Sequence, residues 1–247
     1  MRYPEIDVLR TVAIVQMIVY HLLFDLTFLY GFPFDLSTVF WHVFQVSSAS
    51  LFLVLAGVSF VLSYQRVATR QTAVIFRKYV LRGLRIVGCG IIISVVTYIF
   101  DAHTFVRFGI LHLIGISILF LPGFYRLKEL NLLLGVLFII IGQYTSTLID
   151  QSSFLLPFGV RYAGFETIDY FPLFPWSGVI LIGVAVGHCL FVRYPYWRTA
   201  SLDQLLRHRS VSIIGIPGRN SLLLYLVHQP LIILVLSLMY GTPSLRM

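Results

Sequence analysis

Charge is what this sequence has least of. Asp, Glu, Lys and Arg make up 11% of its 247 residues, against 58% hydrophobic ones, and the mean hydropathy is +0.90. A soluble domain carries about 25% charged residues to wet its surface. A water-facing globule is therefore excluded, and lipid has to cover the outside. Cysteine is nearly missing too. Cys89 and Cys189 each sit in an apolar segment, where a lone thiol is a small buried hydrophobe, so neither a disulfide nor a metal site is expected. A cleavable signal peptide is not expected either: the first apolar segment follows Glu5 and Asp7, outruns an h-region and contains Arg10, His21 and Asp25. No solenoid period, low-complexity tract or separate soluble stretch interrupts the chain, so 1–247 reads as a single transmembrane domain.

What the chain does have is long apolar runs. A helix needs roughly 20 mostly apolar residues to cross about 30 Å of hydrocarbon. Seven such spans are expected, at about 8–30, 43–65, 83–101, 108–124, 130–149, 172–192 and 220–241, which makes the fold an all-α polytopic bundle. Orientation follows from the bias of Lys and Arg towards cytoplasmic loops. With the N-terminus inside, Arg2, Arg10, Arg66, Arg70, Arg77, Lys78, Arg82, Arg85, Arg126, Lys128, Arg193, Arg198, Arg207, Arg209 and Arg219 all lie on the inner side, 15 of the 18 basic residues. Only Arg107, Arg161 and Arg246 lie outside, so the C-terminus is placed outside. The net charge of +8 is thus a topology signal, and no nucleic-acid partner is expected. The outer connection 150–171 carries Asp150, Glu166 and Asp169 and is rich in aromatics and proline, as a belt at headgroup level would be.

Ionisable residues inside a span are costly and face the bundle interior or a water-filled cavity. The first span holds four. Arg10 and His21 are 11 residues apart, which leaves them about 20° apart around a helix axis. Asp25 stands four residues beyond His21 and Asp7 three before Arg10, so all four share one face. At 1.5 Å per residue His21 lies roughly 20 Å from the cytoplasmic end, with Asp25 expected within reach of its imidazole. A carboxylate one turn from an imidazole is the arrangement that raises and orients a general base. His42 opens the second span, His112 lies a turn inside the outer end of the fourth, and His228 falls near the middle of the seventh. Each of these could equally be a polar group bonding a neighbouring helix. That bland reading suits His188, near the inner end of the sixth span, and His103 reads as a solvated loop residue.

On the inner side, Gly218-Arg219-Asn220-Ser221 opens the last span. Glycine, a guanidinium and two capping-type side chains at a helix start suit an anion. The basic run Arg77-Lys78, Arg82, Arg85 opens the third span on the same side. Snorkelling at the headgroups explains such residues as well. The functional alternative is a phosphate-rich cytosolic ligand.

Arg10 and His21 also form an R-x10-H pattern that resembles the first helix of bacterial membrane O-acyltransferases. More specifically, the chain resembles the heparan-alpha-glucosaminide N-acetyltransferase catalytic-domain family. The resemblance is carried in order by Glu5–Arg10, Met17–His21, Ala49–Gly57, Phe108–Gly115, Phe171–Gly178 and Gly218–His228. It implies a single transmembrane acyltransferase domain that moves an acetyl group from cytosolic acetyl-CoA to a hydroxyl or amine, that of a sugar, across the membrane. In the lysosomal family member a luminal histidine after the first helix is catalytic. By position His42 is its counterpart, whereas His21 stands where that enzyme has asparagine, so two histidines compete for one role.

The resulting expectation assigns His21, Asp25 and His42 to catalysis. Arg10, Arg82, Arg85, Arg219, Asn220 and Ser221 would hold acetyl-CoA, and His112 and His228 would line the channel. Acetyl-CoA is the donor substrate and no metal is involved. The partners are the lipid bilayer of the cell membrane and an outer-side sugar or amine acceptor, and a homodimer is kept open. The rival reading is a proton-coupled transporter using the same His and Asp residues, against which stands the lack of an inverted repeat. A non-catalytic assembly protein is the third.

Overall fold

The computed structural model describes residues 3–197, 199, 204, 206 and 208–242. Of the basic residues used for orientation, Arg2, Arg198, Arg207 and Arg246 lie outside the described residues. In lipid every backbone N–H and C=O must be paired within the segment that carries it, and the described chain accordingly resolves into helices. They are α1 (Pro4–Phe28), α2 (Val39–Gln65), α3 (Thr72–Phe100), α4 (Ile110–Phe124), α5 (Asn131–Thr145), α6 (Leu173–His188), α7 (Arg209–Arg219) and α8 (Ser221–Tyr240). Two-residue strands β1 (Ile149–Asp150) and β2 (Arg161–Tyr162) pair in parallel in the α5–α6 connection.

Among the described residues six stretches are long and apolar enough to cross a membrane: Pro4–Phe28, Val39–Gln65, Thr72–Phe100, Ile110–Thr145, Leu173–Arg193 and Ser221–Tyr240. The fourth has 36 residues and would rise about 54 Å as one helix, far more than a bilayer core. It is broken by a 3₁₀ segment, Tyr125–Leu130, in which Lys128 is non-helical (φ 50°, ψ −125°), into α4 and α5. Each of the seven expected spans coincides with a helix. The largest difference is α3, which starts at Thr72 rather than 83. Its first turns carry Arg77, Lys78 and Arg82, which lower local hydropathy without opposing helix formation. The amphipathic α7 was not anticipated, because its apolar residues are interleaved with Arg209, Pro217 and Arg219.

The chain forms two compact units, residues 1–52 with 198–247, and residues 53–197. In the first unit α1 pairs with α7 and α8, and Ser48 on α2 donates to the Ala13 carbonyl (3.0 Å). Pro4 at the first turn of α1 loses no needed N–H, and Glu5 and Asp7 sit where the helix dipole favours negative charge.

In the second unit the helices meet through small residues, as membrane helices do when no hydrophobic force drives them together. Gly83 on α3 faces Gly115 on α4, and Gly135 on α5 faces Gly178 on α6. Gly57 on α2 lies against the Ile180 carbonyl, and Gly183 on α6 against the Val54 carbonyl. These contacts run antiparallel for α3/α4 and α5/α6, whereas Gly183 against Val54 and Gly187 against Val58 and Val61 make α2/α6 parallel. Leu53, Val61, Leu113 and Val184 are fully enclosed. Ile92, Ile99, Phe100, Leu133 and Ile140 point outward, exposed as lipid-facing residues should be. Cys89 and Cys189 are free thiols.

The glycine contacts yield a signed prediction. A Cβ at Gly183 would collide with backbone, whereas one at Gly123 on α4 meets open space. Gly183→Ala should destabilise the protein by about 1–3 kcal/mol. Gly123→Ala should be neutral or stabilising by up to about 1 kcal/mol through helix propensity. Thermal unfolding in lipid nanodiscs measures both, and equal midpoints for the two variants would contradict this packing.

Candidate active site

The first unit gathers most of the polar residues of α1 and α8. At the beginning of α1, Asp7 is almost fully buried and is held between two guanidiniums. Arg10 Nη1 donates to its Oδ1 (3.2 Å) and Arg219 Nε to its Oδ2 (3.4 Å). Arg219 also donates to the Ser212 hydroxyl (3.1 Å). One turn along, the Thr11 hydroxyl accepts from Gly218 N–H (2.9 Å) and donates to the Ile214 carbonyl (2.7 Å). Gly215 and Gly218 make this approach possible, since a Cβ on Gly218 would collide with the Asp7 carbonyl. Arg10 and Arg219, two of the four arginines expected to hold acetyl-CoA, thus both bond Asp7, and the trio carries a net charge of +1. The Asn220 side chain does not cap the start of α8. The Asn220 amide donates back to the Ile216 carbonyl (3.1 Å), closing α7, and Ser221 simply begins α8.

Further along, His21 and His228 meet edge to face, with ring centroids 5.0 Å apart and planes at 82°. Their tautomers follow from their partners. His21 Nδ1 lies 2.8 Å from the Met17 carbonyl and His228 Nδ1 lies 2.7 Å from the Tyr225 carbonyl. A carbonyl oxygen only accepts, so both Nδ1 atoms carry hydrogen. In the neutral rings both Nε2 atoms are therefore lone-pair acceptors. His228 Nε2 is buried and has no hydrogen-bond partner among the described residues.

The expected bond between Asp25 and His21 is not present. Asp25, 2% exposed, accepts from the Gln229 amide at both oxygens (2.9 Å each), and the His21 ring is oriented by its own helix backbone instead. Gln229 was missed in the sequence, where its place beside His228 in an apolar helix was the available signal. His42 is exposed on α2 and makes no hydrogen bond or ring contact with this pair.

The remaining candidates belong to the second unit. His112 is buried, stacks on Phe108 (5.6 Å) and accepts the Gly109 N–H (3.3 Å), capping α4. Arg82 and Arg85 are exposed on α3. His188 reaches Glu129 (3.3 Å), which Arg193 also contacts (3.3 Å), so it bonds a neighbouring element as the bland reading has it. Among the described residues no group of three or more His, Cys, Asp or Glu could hold a metal.

These features define a class: a multi-pass membrane protein with paired imidazoles inside its spans and a basic clamp where α1 meets α7. The sequence model of the family described as "Heparan-alpha-glucosaminide N-acetyltransferase, catalytic" matches residues 2–230. The chain belongs to that family, and its activity is of the membrane acetyltransferase class. Neither the curated proteins nor the solved structures contain a match.

One half-buried carboxyl outside the spans escaped the sequence reading as a site residue. Asp169 accepts the Ile110 N–H (3.3 Å) with its Oδ2 against Gly109, so it holds the start of α4. Burial pushes it up from its ordinary 3.8 to about 7, against the pull of that hydrogen bond. Below pH about 4 folded and unfolded chains both hold the proton. Between about 4 and about 7 only the folded chain holds it, so stability falls as pH rises through that window. Asp169→Asn should remove this part of the pH dependence. Unfolding midpoints compared across pH 4 to 8 test it, and an unaltered pH slope would count against the assignment.

Proposed function

We propose that the protein transfers an acetyl group from cytosolic acetyl-CoA to a hydroxyl or amine of a sugar on the outer side of the cell membrane. In this reading seven helices cross the bilayer as one acyltransferase domain, with the N-terminus inside and the C-terminus outside. The observation that carries it is the His21–His228 pair, two imidazoles whose Nδ1–H groups are tied to backbone and whose Nε2 lone pairs are left to receive a proton. A general base must offer such a lone pair in a fixed direction.

His21 Nε2 takes the proton from the acceptor as its oxygen or nitrogen attacks the thioester carbonyl. The C–S bond breaks, and the CoA thiolate leaves and is protonated. His228 lies alongside as a second acceptor for the incoming hydroxyl or amine. Asp25 acts as a positioning residue by tying α1 to α8 through Gln229. Arg82 and Arg85, exposed and uncommitted, attract the CoA phosphates. Arg10 and Arg219, with Asn220 and Ser221 beside them, shape the inner end of the helix pair. His112 caps α4. His42 is the alternative nucleophile, on which a covalent acetyl-histidine would form.

Purified protein in nanodiscs, given radiolabelled acetyl-CoA with and without a glucosamine acceptor, tests this. His21→Ala should lower acceptor acetylation by roughly 10²–10⁴-fold, and His228→Ala by a smaller factor. Label retained on the wild type and lost only in His42→Ala would move the catalytic role to His42. A His21→Ala protein with full turnover would overturn the base assignment. Proton-coupled uptake of a solute with no dependence on acetyl-CoA would replace the transferase by a transporter.

A further inference from the structure

The α5–α6 connection contains a cavity of about 280 Å³ lined by Arg161, Phe165, Glu166, Thr167 and Tyr170. Its walls are fixed to two separate backbone segments. Arg107 Nη1 donates to the Glu166 carbonyl (2.6 Å), and the Thr167 hydroxyl donates to the Phe105 carbonyl (2.8 Å). The Tyr170 hydroxyl donates to the Leu156 carbonyl (2.7 Å), and burial pushes that phenol up to about 12, so it stays neutral. Ile168 N–H and Phe171 N–H bond the carbonyls of Thr104 and Phe108 (2.8 and 2.9 Å). The pocket is therefore preformed, which lowers the entropic cost of binding.

Its chemistry is mixed in a specific way. Phe165 and Tyr170 supply ring surface, with the Arg161 guanidinium 5.5 Å from the Tyr170 ring. The Arg161 and Glu166 side chains are both exposed, and neither makes a hydrogen bond or ion pair there, with each other or with another described residue. An acid and a base left uncommitted in one aromatic-lined pocket suit a ligand that has an apolar face, donors and acceptors together.

We propose that this pocket is a carbohydrate-binding site. A pyranose ring lies against Phe165 and Tyr170, its acceptor oxygens facing Arg161 and its donor hydroxyl or ammonium groups facing Glu166. As a holding site for the acceptor chain, it rests on the reading that the transferase acts on an outer-side sugar. A free amino acid also carries both charges but has no pyranose face, which makes glycine the discriminating control.

The test uses the full chain in lipid nanodiscs, which avoid sugar-headed detergents, with tetra-glucosamine, glucose tetrasaccharide and glycine as probes in titration calorimetry. Tetra-glucosamine should bind the wild type. Arg161→Gln and Glu166→Gln, both surface changes, should each weaken binding by roughly tenfold with unaltered unfolding midpoints. Binding that both variants retain at wild-type strength, binding of glycine in place of sugar, or no sugar binding up to about 20 mM would each overturn the site. Acetyl-CoA turnover by the wild type is measured in parallel. Turnover without saccharide binding removes the pocket and leaves the transferase. Saccharide binding lost in both variants, with no turnover, leaves the pocket and removes the transferase.

Discussion

A carboxylate between two membrane helices has to be met by donors from the protein itself, because lipid offers none. Asp25 is met by a single amide, that of Gln229, which donates to both of its oxygens. This contact ties the C-terminal part of α1 to α8, and the arrangement of the first unit depends on it. His228 precedes Gln229 directly and His21 lies one turn before Asp25, so joining Asp25 to Gln229 sets the two imidazoles side by side. Removing either partner would leave a buried polar group without its counterpart, a cost of about 1–3 kcal/mol. It would also release the register in which the rings meet.

At the other end of α1 the same problem is solved with charge. Asp7 is buried among Arg10 and Arg219, while Thr11 accepts from Gly218 N–H at a point where only glycine fits. With α1 tied to α7 at one level and to α8 at the other, it cannot slide by a turn of about 5.4 Å without breaking both ties. The rings of His21 and His228 lie between these levels, and their Nδ1–H groups are held by the turn that each ring's own helix provides. Orientation of the lone pairs is then a property of two rigid helices and needs no third side chain. This is why Asp25 can serve as a tie without being the partner of His21.

Much of this was legible in the sequence because lipid imposes strong rules. All seven apolar runs became helices, and the shared face of Asp7, Arg10, His21 and Asp25 follows from helical periodicity alone. What hydropathy could not reveal was pairing across the fold. The spacing of four residues between His21 and Asp25 suggested a local contact, but a partner on another helix competed better for the carboxylate. The charge of Arg219 is visible in the sequence, whereas its bond to Asp7 on another helix is not. The start of α3 was misplaced for a related reason: Arg77, Lys78 and Arg82 lower hydropathy, yet their long side chains leave the helix intact.

The α1–α8 and α2–α6 pairs are held by different means. In the second unit glycines bring backbones together at Gly57, Gly83, Gly135, Gly178 and Gly183, contacts that tolerate no added atom and present no reactive group. In the first, α1 and α8 are joined by Asp, Gln, His, Tyr and Ser side chains, ending with Tyr30 against Ser237 (3.2 Å). Polar side chains within a bilayer are expensive, and packing alone could have been achieved with glycine, as α2 and α6 demonstrate. Along α1 and α8 polar groups are retained instead, with the Nε2 of His228 buried and unpartnered among the described residues.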